Sequence, residues 1–294
     1  MSTGISFILL APQYGYTGLY LDLTNGSKKF VTVGIKMKLN IGIFQYEMQD
    51  EDPLDKINRL ESHLNKNDDE LDLVVCPELF ISGYGNLDNI NKFSENHDGE
   101  YAKKISALAQ KSSTAIIYGY PEISNNQLYN SAQLFDSKGL SLANHRKKLL
   151  PPTANESKIF TPGKENSIVS IKGVKSAIVI CYELEFPELI RELALEGVEL
   201  IIAPTGQSSN WPAAALHNCR TRAFENGIFV AYANSTGYLN GISFMGESKI
   251  IGPDGIDFAN ANISEKLISA QIDTDQIKFV REKLPYLNDS KSLQ

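Results

Sequence analysis

From Lys38 onward the chain alternates between short apolar runs and segments with apolar residues at helical spacing. KLNIGIFQY (38–46) predicts a strand and DPLDKINRLESHLNK (52–66) a helix. LDLVVCPE (71–78) and TAIIYGYPE (114–122) predict strands on either side of a helix over EYAKKISALAQKSS (100–113). YNSAQLFD (129–136) and LSLANHRK (140–147) read as an antiparallel pair around SKG. After the loop PPTANESKIFTPG (151–163), the strands SIVSIKG (167–173) and KSAIVICYE (175–183) lead into a helix over FPELIRELALEG (186–197). VELIIAP, a helix over AALHNCRTRAFENG (214–227), then IFVAYANS, GISFMG, ESKIIGPDG and LISAQID complete the series. Helices mixed with many strands on short connections predict a layered α/β domain. No Pro/Ser/Gly tract interrupts residues 38–285, so one domain is expected over 37–285, followed by a C-terminal tail, 286–294, that reaches a partner subunit.

Residues 1–36 depart from this pattern. They hold a short apolar piece, ISFILLAP, and a Gly/Tyr/Thr-rich stretch, with no positive charge before Lys28. That is not the layout of a signal peptide. The segment reads as an N-terminal extension that packs on the surface or pairs a sheet edge, or as a start-site artefact, since Met37 immediately precedes the first clean strand pattern.

Composition removes several classes. A net charge of -7 argues against a phosphate-backbone binder, so no nucleic-acid partner is expected. The longest apolar runs are far too short to span a membrane. The cysteines, Cys76, Cys181 and Cys219, form no disulfide framework or zinc spacing, which fits a reducing, cytoplasmic compartment. The histidines are scattered, and no glycine-rich phosphate loop or serine-nucleophile elbow occurs, so neither metal nor organic cofactor is expected.

The apolar strands VVCPE, LANHRKK and AIVICYE each end in a reactive residue: Glu78, Lys147 and Cys181. Sites in open α/β sheets gather beyond the carboxyl ends of strands, so the three can meet. Singly, each has an ordinary explanation. Glu78 reads as a solvated turn carboxylate, Lys147 as part of a basic turn in which Lys148 is an equal choice, and Cys181 as a packed thiol. Together they form a chemical device. A carboxylate base makes the thiolate that attacks a carbonyl or nitrile carbon, and an ammonium stabilises thiolate and oxyanion. Cys181 also lies just before a helix, whose free N–H groups help to hold that oxyanion. A Cys/His pair using His145 or His217 is the competing arrangement, but neither histidine sits in a motif with its own logic. Cys76 and Cys219 read as structural.

These segments, taken in order, resemble the nitrilase, or carbon–nitrogen hydrolase, superfamily over roughly 38–285. VVCPELFISGY is similar to the segment carrying the general-base glutamate, which falls on Glu78. HRKKLLP resembles the lysine segment and selects Lys147 over Lys148, although His145 and Leu149 depart from the residues common there. AIVICYELEFPE resembles the nucleophile segment, with Cys181 as nucleophile and the Tyr182 N–H in the oxyanion hole. NESKIFTPG resembles the stretch with a helper glutamate, here Glu156; RTRAFENG and GESKIIGPDG are similar to two further family segments. The resemblance implies a four-layer α-β-β-α sandwich, no metal and no cofactor. It also implies a homodimer or higher homo-oligomer packed through FPELIRELAL and AALHNCRTRAFEN. The activity implied is hydrolysis of a non-peptide C–N bond through a cysteine thioester.

CYELEFPE is closer to the amidase and carbamoylase branches than to nitrilases proper, so a small amide is the expected substrate, giving acid and ammonia. PTGQSSNWP (204–212) and ISGYGN (82–87) are the expected substrate-facing segments, with Tyr84, Asn210 and Trp211 as contacts, Trp211 reading equally as packing. PTGQSSNWP carries no basic residue to grip a substrate carboxylate, which favours a small aliphatic or amino-acid amide over carbamoyl amino acids. An N-carbamoyl amidohydrolase, a nitrilase, a glutaminase and a non-catalytic accessory member remain as alternatives.

Overall fold

The computed structural model describes residues 16–22, 28–34 and 37–293. It divides into two compact units, Met1–Met37 and Lys38–Gln294. In the first, β1 (Tyr16–Asp22) pairs antiparallel with β2 (Lys28–Gly34) as a hairpin; the rest of the expected extension lies outside the described residues.

The second unit begins with β3 (Lys38–Gln45), β4 (Glu47–Met48), α1 (Pro53–Asn65), β5 (Leu73–Val75), α2 (Leu87–Lys92), α3 (Glu100–Ser112) and β6 (Ala115–Ser124). It continues with β7 (Gln127–Phe135), β8 (Ser141–Arg146), α4 (Glu156–Ile159), β9 (Ser167–Ile171), β10 (Val174–Ile178), α5 (Pro187–Leu195) and β11 (Leu200–Pro204). Then come α6 (Cys219–Asn226), β12 (Phe229–Ala233), β13 (Thr236–Leu239), β14 (Ile242–Met245), β15 (Lys249–Ile251), β16 (Asp257–Asn260), β17 (Lys266–Asp273), α7 (Asp275–Lys283) and α8 (Tyr286–Ser290).

Two six-stranded sheets carry the architecture, in the orders β17-β3-β5-β6-β7-β8 and β16-β15-β12-β11-β10-β9. Each has a parallel centre, β3-β5-β6 and β10-β11-β12, with antiparallel strands outside it. Strand side chains alternate between faces, and the central strands are buried on both. On the first sheet Phe44, Val74, Ile116 and Tyr118 face Ile57 and Leu60 of α1 and Ile105 of α3. On the second, Ala177, Ile201, Val230 and Tyr232 face Leu189, Ile190 and Leu193 of α5 and Ala223 of α6. The opposite faces, bearing Ile41, Ile43 and Val75 on one sheet and Ile202 and Ala231 on the other, are equally dry and pack sheet on sheet. The result is the α-β-β-α sandwich that the family resemblance implied. A small third sheet, β14-β13-β4, lies beside them.

The helices follow from local chemistry. Asp52 caps α1, its carboxylate accepting from the Leu54 N–H, with Pro53 in the first turn where its missing N–H costs nothing. In the second unit three strands were not anticipated: β4, β13 and β16. The helix expected over 214–227 divides into a π-helical turn at Ala214–Asn218 and the α-helix α6. The C-terminal segment is partly helical. It forms α8, which packs on α5 and α6 of its own chain, with Tyr286 edge-on to Phe224 and Leu287 against the apolar cluster beneath.

Candidate active site

The site forms where the two sheets deliver their strand ends to a common cavity of about 590 Å³. Glu78 lies three residues past β5 on a turn laid across β6. That turn can sit so close only because residue 119 is glycine. A Cβ there would come within 2.4 Å of the Leu79 nitrogen and 2.7 Å of the Glu78 Cα. The Gly119 N–H donates to the Pro77 carbonyl at 3.2 Å, and the Ile81 N–H to the Gly119 carbonyl at 3.2 Å, fixing the turn on both sides.

Lys147 immediately follows β8, and its N–H donates to the Asn130 carbonyl of β7 at 2.8 Å. Its ammonium is fully buried and donates to Glu78 Oε1 at 2.6 Å and to Glu156 Oε1 and Oε2 at 2.9 and 2.8 Å. Lys148 instead turns its side chain to Asn166, which separates the two lysines by geometry. Glu156 opens α4 and also accepts from the Tyr84 hydroxyl. Asn130, which sequence reasoning missed, bridges the two carboxylates, its Nδ2 donating to Glu78 Oε1 at 2.7 Å and to Glu156 Oε2 at 3.2 Å.

Cys181 begins a 3₁₀ turn, Cys181–Glu185, three residues after β10 ends. Its backbone has φ of 49°, the left-handed region that costs an L-residue about 1–2 kcal/mol. Leu79, next to Glu78, and Asn155, next to Glu156, share this conformation, with φ of 46° and 58°. Seven other non-glycine residues among those described share this region; at Cys181 and Leu79, which lack the tolerance of asparagine for it, the surrounding structure holds the backbone in place. The Tyr182 N–H belongs to the first N–H groups of the turn, which lack intrahelical partners and can receive an oxyanion.

Electrostatics assign the protons. Burial pushes the Glu78 carboxyl above the ordinary carboxylate range, with Lys147 opposing and Glu156 adding to the rise. Burial would strip Lys147 of its proton, but Glu78 and Glu156 outweigh it and keep the ammonium charged. Burial, then the charge of Glu78, pushes the Cys181 thiol well up, while Lys147 and the Gly206 backbone N–H pull the other way. At rest Lys147 is therefore a buried ammonium and Cys181 a protonated thiol, with Glu78 poised to hold a proton more readily than an ordinary carboxylate.

Glu78 Oε1 is occupied by Lys147 and Asn130, whereas Oε2 is buried and accepts from no group among the described residues. Gly206 passes beside it: a Cβ on Gly206 would lie 3.1 Å from Oε2 and 3.0 Å from Tyr84 Cδ2. A buried lone pair without a donor is unusual and marks the oxygen that can take up a proton.

A second buried pair was also missed. Glu183 Oε2 lies 2.9 Å from His145 Nε2 and accepts from the Ile180 N–H at 2.6 Å; Oε1 accepts from the Lys148 N–H at 2.9 Å. Burial alone would raise the Glu183 carboxyl, but His145 and these backbone N–H groups hold it below its ordinary value. Glu183 thus ties the nucleophile's turn to the lysine's strand, and His145 is committed to it rather than to Cys181. Arg222 of α6 clamps the other end of the turn, Nε donating to the Leu184 carbonyl at 3.1 Å and Nη2 to the Glu185 carbonyl at 2.6 Å.

Tyr84, Tyr182, Asn210 and Trp211 all line the cavity with Cys181. Tyr84 is buried and engaged with Glu156, while Trp211 is 64% exposed at the rim and so not core packing. Pro151, Thr153, Glu185, Gln207 and Ile242 complete much of the wall. His217 lies in the π-helical turn, outside this set of lining residues. Cys76 and Cys219 are buried, and the Cys219 Sγ donates to the Ala215 carbonyl at 3.0 Å. Among the described residues no cluster of His, Cys, Asp or Glu could hold a metal ion.

The carbon–nitrogen hydrolase family matches residues 40–282. A protein of Pseudomonas protegens described as "Hydrolase in pqqF 5'region" is 41% identical over 76% of this chain and 79% of its own. The 2-oxoglutaramate amidase of Bacillus subtilis is 30% identical over 86% of this chain and 98% of its own. Among solved structures, a CN-hydrolase superfamily protein from Xanthomonas campestris, with an arsenic adduct in its active site, superposes with a TM-score of 0.80 at 25% identity. It covers 86% of this chain and 97% of its own. The chain belongs to the carbon–nitrogen hydrolase family of the nitrilase superfamily. Within it, the chain is an enzyme of amidase type.

Proposed function

We propose that this enzyme hydrolyses a small amide to its carboxylic acid and ammonia through a thioester on Cys181. The observation that carries this reading is the buried Oε2 of Glu78, which has no hydrogen-bond partner among the described residues while its other oxygen is held by Lys147, in a carboxyl group whose charge acts on the Cys181 thiol. Raised basicity makes Glu78 a better proton acceptor, and proton transfer to it frees the thiolate for attack on the amide carbon. The developing oxyanion is met by the Lys147 ammonium and the Tyr182 N–H. Glu78 then returns the proton to the leaving nitrogen, ammonia departs, and water activated by Glu78 cleaves the thioester. Glu156 holds the ammonium in place from the far side, with Tyr84 and Asn130 fixing Glu156 in turn.

The cavity supports a compact substrate, and none of the residues that line it is Lys, Arg or His. A cytoplasmic homodimer contacting through α5 and α6 belongs to the same reading, to be checked by fractionation and by sedimentation. The decisive experiment is ammonia release from amides, nitriles, N-carbamoyl compounds and glutamine, with intact-mass detection of an acyl adduct on Cys181. Turnover of amides with the adduct mapped to Cys181 supports the proposal; amide turnover undiminished in Cys181→Ala would sink it.

A further inference from the structure

Glu185 takes no part in the chemistry above, yet it stands in the wall of the same cavity, four residues after the nucleophile and half-buried. Among the described residues its carboxylate has no hydrogen-bond or ion-pair partner; only its backbone carbonyl is engaged, by Arg222. The two cations that influence it are committed elsewhere. Lys147 is held by Glu78 and Glu156. Arg222 directs three of its five N–H donors to two backbone carbonyls and to Glu225, at 3.0 Å, and none to the Glu185 carboxylate. Glu185 is therefore the one ionisable acid or base, apart from Cys181 and tyrosine hydroxyls, among the residues lining the cavity.

An unpaired carboxylate in a partly dehydrated wall is costly, and a bound cation removes that cost. Aromatic rings nearby, Tyr182 and Trp211, favour the same sign of guest. Burial draws the Glu185 carboxyl upward, with Lys147 and Arg222 opposing, which agrees with a group short of a counter-ion.

Resting on the amidase reading, we propose that Glu185 selects amides whose acyl part carries an ammonium group, that is, amino-acid amides. The ammonium pairs with Glu185 while the carboxamide carbon reaches Cys181. The same charge repels monoamides of dicarboxylic acids.

Alaninamide and isobutyramide nearly match in shape and differ by an ammonium in place of a methyl; succinamate supplies the anionic counterpart. The intact enzyme is expected to prefer alaninamide in kcat/KM. Glu185→Gln should lower the alaninamide-to-isobutyramide ratio roughly ten- to a hundredfold, the range for a hydrogen bond to a charged group. It should also raise succinamate relative to isobutyramide, and Glu185→Asp should restore part of the preference. Calorimetric binding of the two amides to Cys181→Ala reads the same preference without turnover. If the intact enzyme hydrolyses no amide while Cys181→Ala still prefers the cation, the amidase reading fails and the role of Glu185 stands. A ratio untouched by Glu185→Gln in both assays, or an equal fall for all three amides, overturns the role of Glu185.

Discussion

The rear and the mouth of the cavity are built on opposite plans. Behind the lining residues, Glu78, Lys147, Glu156 and Asn130 are at most 2% exposed, and the Lys147 ammonium is paired with both carboxyl groups. At the mouth Glu185, Asn210 and Trp211 sit on loops or turns, partly or largely exposed, with the Glu185 carboxylate unpaired. Buried charges demand complete partnership and therefore fixed geometry, which suits bond making. Open loops tolerate change, which suits choice of substrate. Chemistry and selectivity are thus separated by depth.

The sharpest way to break this contrast is at the rear. Cys181→Ala should remove at least about four orders of magnitude in kcat with an unchanged circular dichroism spectrum, measured by ammonia release. Glu78→Gln keeps an acceptor for Lys147 but loses the base, and should lower kcat about 10²- to 10⁴-fold. The intact enzyme's pH profile tests the same residue. A raised Glu78 pKa means that the protonated, inactive form gathers while the pH is still above the ordinary glutamate value of about 4.3. The acidic limb of kcat/KM should therefore fall at higher pH than an unperturbed carboxylate would give; a limb at or below that value would refute it.

Intermediate effects are expected where backbone supports the chemistry. Gly206→Ala presses a methyl on Glu78 Oε2 and Tyr84, and should cost about a hundredfold in kcat with a modest fall in Tm. Glu183→Gln replaces a buried carboxylate that holds His145 and two backbone N–H groups, and should cost about 1–3 kcal/mol in urea unfolding. The smallest effect belongs to the mouth. Trp211→Ala should shift stability by no more than about 0.5 kcal/mol while moving KM a few-fold.

Much of the layered fold was legible because strands buried on both faces read as unbroken apolar runs, as in LIIAP and FVAYA. The strands β4, β13 and β16 were not, being two to four residues long and partly exposed. Helix α7 was missed because QIKFVREK buries only Ile277 and carries a weak apolar stripe. In the site, Glu78, Lys147 and Cys181 stood out as reactive ends of apolar runs. Asn130 lies inside the strand YNSAQLF, where a polar residue reads as the outward half of an alternation. Its signal was the neighbouring run of buried positions, visible only once β6 and β8 flank it. Glu183 was hidden for a related reason: its carboxylate satisfies backbone N–H groups from two segments that only the fold brings together.

Trp211 is the sole tryptophan of the chain, and it stands at the rim of the cavity rather than in the core. Intrinsic emission excited at the indole therefore reports on the pocket. Most of the ring meets water, so the unliganded protein should emit at long wavelength. An amide settling against the rim should dry the ring and move the emission to the blue. In Cys181→Ala, where nothing is consumed, that shift gives an optical titration of occupancy without any attached label.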